Sequence, residues 1–395
     1  MPMVIPGELR YNPSNISIAY FEVPHMSKQT KSSFHLIVLS SILTLLLLFL
    51  LFLGSNRSDK QITVDDAQIM DAYDAFMANQ IQNAYDSALT VDKVFWIGKD
   101  DTAPIPNQDC YGETEDPSTL QWLLEEAAAI LDGQNTLFNT DIQIYPGSKV
   151  TYYLDDTILA ITWKQVFDDF VYTISEVKIA HPSQLRRYLA GNEYDSNELY
   201  TTTTMAQTVN AVVASSGDLY KGRKYGIIVY DGEVKRVDGS QSVDTCMIDQ
   251  NGNLVFVYRG EITDMETAQQ FVDEHRISFS IAFGPVLVDK SERCEPANYA
   301  LGEINDGYPR AALGQRDELH YVVTVANGQG SHWEYPTIHE FASRVATFGC
   351  EKVYSLDGGQ TGVIAMNGKL MNPVQFGKQR QISDIFYFAT AIPSN

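Results

Sequence analysis

The stretch FGCEKVYSLDGGQTGVIAMNGK at residues 348–369 decides how this chain is read. It spells a helix end, a short buried strand at 353–356, a tight polar turn and a returning hairpin. Gly358 and Gly359 lack Cβ atoms, so the backbone there can bend sharply and approach a ligand closely. A turn of this kind gathers Asp357, several backbone N–H groups and the Thr361 hydroxyl at one spot. Successive amides suit an anion, and a carboxylate suits a sugar hydroxyl, a water or a cation. Taken alone, the same residues also spell an ordinary Asp-Gly hairpin turn, which is the commoner reading.

Working outward, alternating or continuous apolar runs predict strands at 149–153, 158–163, 170–179, 211–214, 225–230, 243–248, 254–258, 279–283, 311–314, 321–325 and 385–389. Helical spacing predicts helices at 183–189, 203–209, 265–275 and 337–348. Asp231-Gly232 and Asp249-Gln250-Asn251-Gly252 read as hairpin turns. Strands and short helices intermix without strict alternation and no G-x-G-x-x-G follows a strand, so the fold class expected is α+β, a mixed sheet with flanking helices.

Three further stretches carry candidate chemistry. The run NAVVASSGDLY (210–220) is an apolar strand breaking at Ser215-Ser216-Gly217-Asp218, and Lys221, Arg223 and Lys224 follow at once. Three cations within four residues are either a solvated loop or an attraction for an anion held near a carboxylate. In IAFGPVLV (281–288), Gly284-Pro285 interrupts a strand, as a bulge or as a close backbone approach to a ligand. Tyr308-Pro309-Arg310 places an Arg at the entry of an apolar strand, where its planar fork can hold phosphate or carboxylate or make a structural pair with an acid.

Upstream, residues 34–53 read FHLIVLSSILTLLLLFLLFL, with no Lys, Arg, Asp or Glu. About 20 apolar residues at roughly 1.5 Å rise cross a bilayer core. The run is long and lacks a small-residue cleavage pattern, so it reads as a signal anchor. Between it and residue 147 lies a mainly helical membrane-proximal region, with an amphipathic helix near 64–88 and a second opened by Asp116-Pro117-Ser118 and running to about 131. The expected division is therefore a tail at 1–33, an anchor at 34–53, the helical region at 54–146 and a larger domain at 147–395.

Composition excludes several classes. A net charge of −22 argues against non-specific binding of nucleic acid, which needs clustered Lys and Arg. Cys110, Cys246, Cys294 and Cys350 show no C-x-x-C spacing for zinc or redox work, and Cys350 reads as a core thiol. There is no G-x-S-x-G, and His320, alternating within a strand, reads as structural. No metal-ligand set is legible, although an acidic site facing phosphate is the kind of place that recruits a divalent cation.

NAVVASSGDLY, FGPVLV (283–288), YPRAALGQ (308–315), LDGGQTGVIAMNGKLMN (356–372) and RQISDIFYFATA (380–391), in that order, resemble the phosphodiester glycosidase family. That family includes an N-acetylglucosamine-1-phosphodiester α-N-acetylglucosaminidase and bacterial members associated with exopolysaccharide, and the resemblance spans about 170–393. It implies Asp218, Asp357 and Arg310 as catalytic residues, with Ser216, Gly217, Arg223, Lys224, Gly358, Gly359 and Thr361 binding substrate. The chain departs from the pattern at Ser216, where many members have Asn, and at Gln360 and Thr361, where many have Gly and Ser. The implied activity is hydrolysis of a sugar-1-phosphodiester in a cell-surface or extracellular glycan, with the alternative of a non-catalytic polysaccharide-binding or envelope-assembly protein. The flanking basic residues nearly tie across the apolar run, so the orientation, tail inside and large domain outside, rests on the same resemblance.

Overall fold

Three antiparallel sheets make up the framework of the computed structural model, which describes residues 96–131, 142, 144–218, 220–238, 242–295, 299, 306–328 and 334–393. All of these belong to the unit Lys93–Asn395. The expected tail, the apolar run 34–53 and the helix near 64–88 lie outside the described residues. Among the described residues no helix is long and apolar enough to cross a membrane.

The large sheet has nine strands, in the order Tyr111–Thr114, Val150–Asp155, Ile158–Phe167, Phe170–Ile179, His320–Gly328, Arg310–Asp317, Lys352–Leu356, Val286–Asp289 and Glu292–Arg293. Its longest hairpin turns at Asp168-Asp169, both in the left-handed region with φ of 49° and 68°. Two positive φ values are what a two-residue turn between twisted strands requires, and Asp tolerates them better than most residues. Asp231-Gly232 repeats the device between Ile227–Tyr230 and Glu233–Val237, as its sequence predicts.

A second sheet orders Leu254–Val257, Thr245–Asp249, Ile277–Ile281, Ile227–Tyr230 and Glu233–Val237. The third orders Lys369–Leu370, Ile364–Met366, Val213–Ser216, Asp384–Phe388 and Leu185–Leu189. One face of the large sheet packs on the helices Pro117–Ile130 and Ile338–Val345 through Leu123, Trp163, Tyr172 and Phe341. Its other face meets both smaller sheets, where Val323 and Tyr354 share a core with Phe279, Val213 and Phe386. Helix starts follow ordinary capping chemistry: Asp116 accepts from Ser118 N, and Thr337 and Glu340 form a reciprocal box.

The architecture agrees with α+β and corrects two expectations. Every strand pair among the described residues is antiparallel, so the sheets are not mixed. Residues 183–189, expected as helix, instead form a short 3-10 turn followed by the strand Leu185–Leu189 paired with Asp384–Phe388. Leu185, Arg187 and Leu189 alternate inward along it, and a cation at the central inward position hides the alternation from a hydrophobic pattern. Within the expected membrane-proximal region, Tyr111–Thr114 is the edge strand of the large sheet and Pro117–Ile130 is the helix opened by Asp116. All four cysteines are free, and Cys350 is buried in the helix-side core. His320 is 1% exposed with Nε2 2.6 Å from Glu176 Oε1. Burial, helped by Arg316 and Lys178, pushes its imidazole down to about 3, so the neutral ring donates Nε2–H to the carboxylate.

Candidate active site at the ends of three sheets

The strand Lys352–Leu356 lies between Arg310–Asp317 and Val286–Asp289 and delivers the chain to Asp357. The turn that follows is pinned by its neighbour: Gly359 N donates to Pro309 O at 2.9 Å. A Cβ on Gly358 would stand 2.0 Å from that same carbonyl oxygen, so only glycine fits where the two backbones touch. Gly359 is required for a different reason, its φ of +60°. Thr361 Oγ1 donates to Gly358 O at 2.5 Å and is buried, so this hydroxyl closes its own turn.

Arg310 begins the neighbouring strand. Ala311 pairs with Leu356 and Arg310 pairs with Ala326, which sets Arg310 and Asp357 across from each other one position past the last pair. Two carbonyls orient the guanidinium: Nε donates to Pro336 O at 3.3 Å and Nη2 to Asp306 O at 2.5 Å, and the Tyr308 ring centroid lies 5.9 Å from Cζ. The register of two antiparallel neighbours thus sets one carboxylate opposite one fork-shaped cation that are 47 positions apart in sequence.

The strand Val213–Ser216 ends at the same place. Ser215 pairs with Ile364, and Ser215 Oγ donates to Val363 O at 2.8 Å, joining this strand to the chain leaving the Asp357 turn. Ser216 is 2% exposed and its Oγ has no hydrogen-bond partner among the described residues. Gly217 N donates to Asp384 O at 3.1 Å, and a Cβ on Gly217 would fall 1.9 Å from Asp384 Oδ2. Glycine is needed at 217 because a carboxylate occupies the side-chain position.

Asp218 is placed inside. Its Oδ1 accepts from Tyr220 N at 2.7 Å, and its Oδ2 accepts from Ala282 N at 2.9 Å and from Arg187 Nη2 at 3.1 Å. Arg187 Nε also donates to Asp384 Oδ2 at 2.9 Å and Nη1 to Ser280 O. Asp384 in turn accepts from Asp218 N at 3.2 Å. The three charged side chains are 0–1% exposed. Burial pushes the Asp384 carboxyl up to about 7; Arg187 opposes the shift and the Asp218 charge adds to it. One guanidinium thus serves two carboxylates in a pocket closed to the surface, and its own proton is held more tightly by Asp384 and Asp218 against the pull of burial. Sequence reasoning passed over Arg187 and Asp384. The signal for Asp384 was an acid at the head of the continuous apolar run 385–389, and for Arg187 the inward position of an alternating strand.

The loop 282–285 ties this pocket to the Asp357 strand. Ala282 N binds Asp218, Phe283 N donates to Tyr354 Oη at 2.8 Å, Gly284 N donates to Ser355 O at 3.1 Å and Ser355 N donates to Pro285 O at 3.0 Å. Arg223 stands over the Phe283 ring at 5.8 Å, and Lys221 lies over the Tyr220 and Tyr194 rings. Lys224 is exposed. Below the turn, Asn372 accepts from Ile364 N at 2.7 Å and donates to Gly362 O at 2.9 Å, fastening the loop 372–380 to it. No group of three or more His, Cys, Asp or Glu among the described residues stands close enough to hold a metal ion.

Residues 207–389 match the family described as phosphodiester glycosidase. This segment is similar to that family. It contains Asp218, Arg310, Asp357 and Asp384, whereas Arg187 enters from a strand that precedes the matched residues. The chain is also 26% identical over 189 residues to the SPbeta prophage-derived uncharacterized protein YomE of Bacillus subtilis (strain 168), covering 47% of this chain and 29% of YomE. The match thus spans less than a third of that relative's length. Among solved structures, the zebrafish N-acetylglucosamine-1-phosphodiester alpha-N-acetylglucosaminidase catalytic domain auto-inhibited by pro-peptide is similar at 19% identity and a TM-score of 0.46, covering 59% of this chain and 82% of that one. A hypothetical protein from Synechocystis is similar at 12% identity and a TM-score of 0.43, covering 63% of this chain and 65% of that one.

Proposed function

We propose that the phosphodiester glycosidase domain hydrolyses the C1–O bond of a sugar-1-phosphodiester in a cell-surface or extracellular glycan, and that residues 34–53 anchor it to the cell membrane with the large domain outside. The observation that carries the catalytic part is the register that sets Asp357 opposite Arg310 at the ends of adjacent strands. The anchor rests on the uncharged apolar run 34–53.

In this reading the bond between the anomeric carbon and the phosphate oxygen breaks, its electron pair passes to the phosphate, and a water oxygen bonds to the carbon. Asp357 takes the water's proton or steadies the oxocarbenium-like centre. Arg310 and the amides of the Gly358-Gly359 turn bind the departing phosphate monoester, which needs charge stabilisation more than protonation. The buried, fully engaged carboxylate of Asp218 supports a positioning role for it, holding the Ala282 and Tyr220 backbones. Arg223 beside Phe283 and the exposed Lys224 supply positive potential at the approach.

The internal position of Asp218 also favours the second reading, a phosphoglycan-binding or envelope-assembly protein, because it leaves Asp357 without a second accessible carboxylate from that pair. Incubating the full chain with sugar-1-phosphodiesters and measuring released reducing sugar and phosphate monoester separates the two. Release that an Asp357→Asn variant lacks supports hydrolysis; binding with no release in the parent supports the second reading.

A further inference from the structure

Asp357 stands between two neighbours, and each brings a guanidinium. The strand Lys352–Leu356, which delivers the chain to it, has Arg310–Asp317 on one side and, on the other, Val286–Asp289 with the segment 282–285 that precedes it. Arg310 occupies the first side. On the second, Arg223 Cζ lies 5.8 Å from the centre of the Phe283 ring. Neighbouring strands are about 4.8 Å apart, so the backbones of Arg310 and Phe283 stand about 10 Å apart with the Asp357 strand between them.

The second side is assembled from several elements. Residues 220–226, YKGRKYG, hold Lys221, Arg223 and Lys224 and no acid, in a chain whose net charge is −22. Both ends of this loop are fastened to the segment 282–285. At its start Tyr220 N donates to Asp218 Oδ1 at 2.7 Å, and the other oxygen of that carboxylate accepts from Ala282 N at 2.9 Å. At its end a Cβ on Gly226 would fall 2.5 Å from Ala282 Cβ, so only glycine lets the loop lie this close. In between, the Arg236 guanidinium donates to Tyr220 O at 2.7 Å, to Arg223 O at 3.1 Å and to Tyr225 O at 3.3 Å. Three carbonyls thus converge on one cation, and the Lys221 and Lys224 side chains are left at the surface.

Phe283 is held as firmly. Tyr354 Oη accepts from Phe283 N at 2.8 Å and donates to Asp244 O at 2.6 Å, while Tyr299 Oη accepts from Asp244 N at 2.8 Å and donates to Phe283 O at 2.8 Å. Two phenols bridge the same two backbones and fix the ring on which Arg223 rests. Cations on a loop already held in shape lose little freedom on meeting an anion, and Arg and Lys pair readily with phosphate.

We propose that the loop 220–226 is a second phosphate subsite, in which Lys221, Arg223 and Lys224 bind a phosphate about one sugar unit away from the diester held by Arg310. The spacing across Asp357 leaves room for one sugar ring between the two phosphates. The inference deepens the hydrolase reading of this site and rests on it for the position of the diester. It identifies the substrate class as a sugar 1-phosphodiester that carries a further phosphate, either as the next link of a sugar-phosphate chain or as a monoester on the same sugar.

The test uses the full chain carrying Asp357→Asn, so that binding is read without turnover. Calorimetry compares three probes, each prepared in glucose, galactose and N-acetylglucosamine forms: the sugar-1-phosphate methyl diester, the same diester bearing a 6-phosphate, and a trimer joined through sugar-1-phosphodiesters. At least one of the two probes with a further phosphate is expected to bind about tenfold more tightly than the methyl diester, and Lys221→Gln with Lys224→Gln is expected to abolish that preference. Added salt is expected to shrink it. Lys149→Gln with Lys235→Gln removes the same charge from two other strands and is expected to retain it. A preference for the trimer supports the inference with a polymer as the ligand, and a preference for the 6-phosphate probe supports it with a small bisphosphate. No preference before the loop substitutions, a preference that survives them, an equal loss with the Lys149 and Lys235 pair, or no binding of any probe with a further phosphate each overturns it. If the protein with Asp357 intact releases no sugar while the preference still depends on Lys221 and Lys224, the hydrolase reading fails and the subsite stands.

Discussion

Arg187 Nε lies 2.9 Å from Asp384 Oδ2 across a pair of strands 197 residues apart in the chain, and the same guanidinium holds Asp218. Pairing a single cation with two carboxylates fixes the Gly217 bend, the head of the strand Asp384–Phe388 and, through Ser280 O, the end of Ile277–Ile281. The bend beside Ser216 is therefore held by buried charged side chains from two other strands.

Removing that cation leaves buried negative charge uncompensated. Arg187→Met is expected to destabilise the fold by about 3–5 kcal/mol, the range for breaking a buried pair from one side. Urea unfolding followed by tryptophan fluorescence reads this directly. A cost below about 1 kcal/mol would show that the pocket admits water.

The pH dependence has a definite sign. Asp384 titrates near 7 when folded, against about 3.9 for an unperturbed Asp, so between those values the folded protein holds a proton that the unfolded chain releases. Its contribution to stability is full below the lower value and is lost as pH rises through the upper one. The melting temperature should therefore fall between about pH 4 and pH 7, and Asp384→Asn should flatten that fall. An unchanged slope in the variant would place the proton elsewhere.

The two carboxylates singled out from sequence should behave differently. Asp218→Asn cannot accept equally from Arg187, Ala282 N and Tyr220 N and is expected to lose about 2–4 kcal/mol of stability. Asp357→Asn is expected to change stability by less than about 1 kcal/mol and to lower kcat by about 100-fold or more. Paired unfolding and turnover measurements check both, and the reverse pattern would exchange their roles.

Glycines in the turn are separable. Gly358→Ala drives a methyl into Pro309 O and should displace the turn, lowering kcat/KM by about tenfold or more. Gly359→Ala meets only the end of the Gln375 side chain, so its cost is the left-handed backbone, about 1 kcal/mol of stability. Equal effects of the two substitutions on kcat/KM would contradict the close approach at 358.

Much of the framework was legible because it is local. The alternation at 170–179 and 321–325, the paired positive-φ turn at Asp231-Gly232 and the caps at Asp116 and Thr337 each depend on a few neighbouring residues. The strand Leu185–Leu189 was illegible for the opposite reason. Its central inward residue is Arg187, and an arginine belongs in a core position only when two acids from distant strands arrive to meet it. The bond from Thr361 Oγ1 to Gly358 O likewise exists only once the turn has closed.

By itself the sequence determined the strand-and-turn grammar, five ordered motifs that resemble the phosphodiester glycosidase family, and the presence of an acidic turn and of an arginine at a strand entry. These follow from spacing along the chain. Only the tertiary structure decided what each carboxylate stands against: Asp357 ends at the turn across from Arg310, while Asp218 and Asp384 share Arg187. The reason is physical, since burial and ion pairing sum contributions from segments as far as 197 residues apart, and no local pattern encodes that sum.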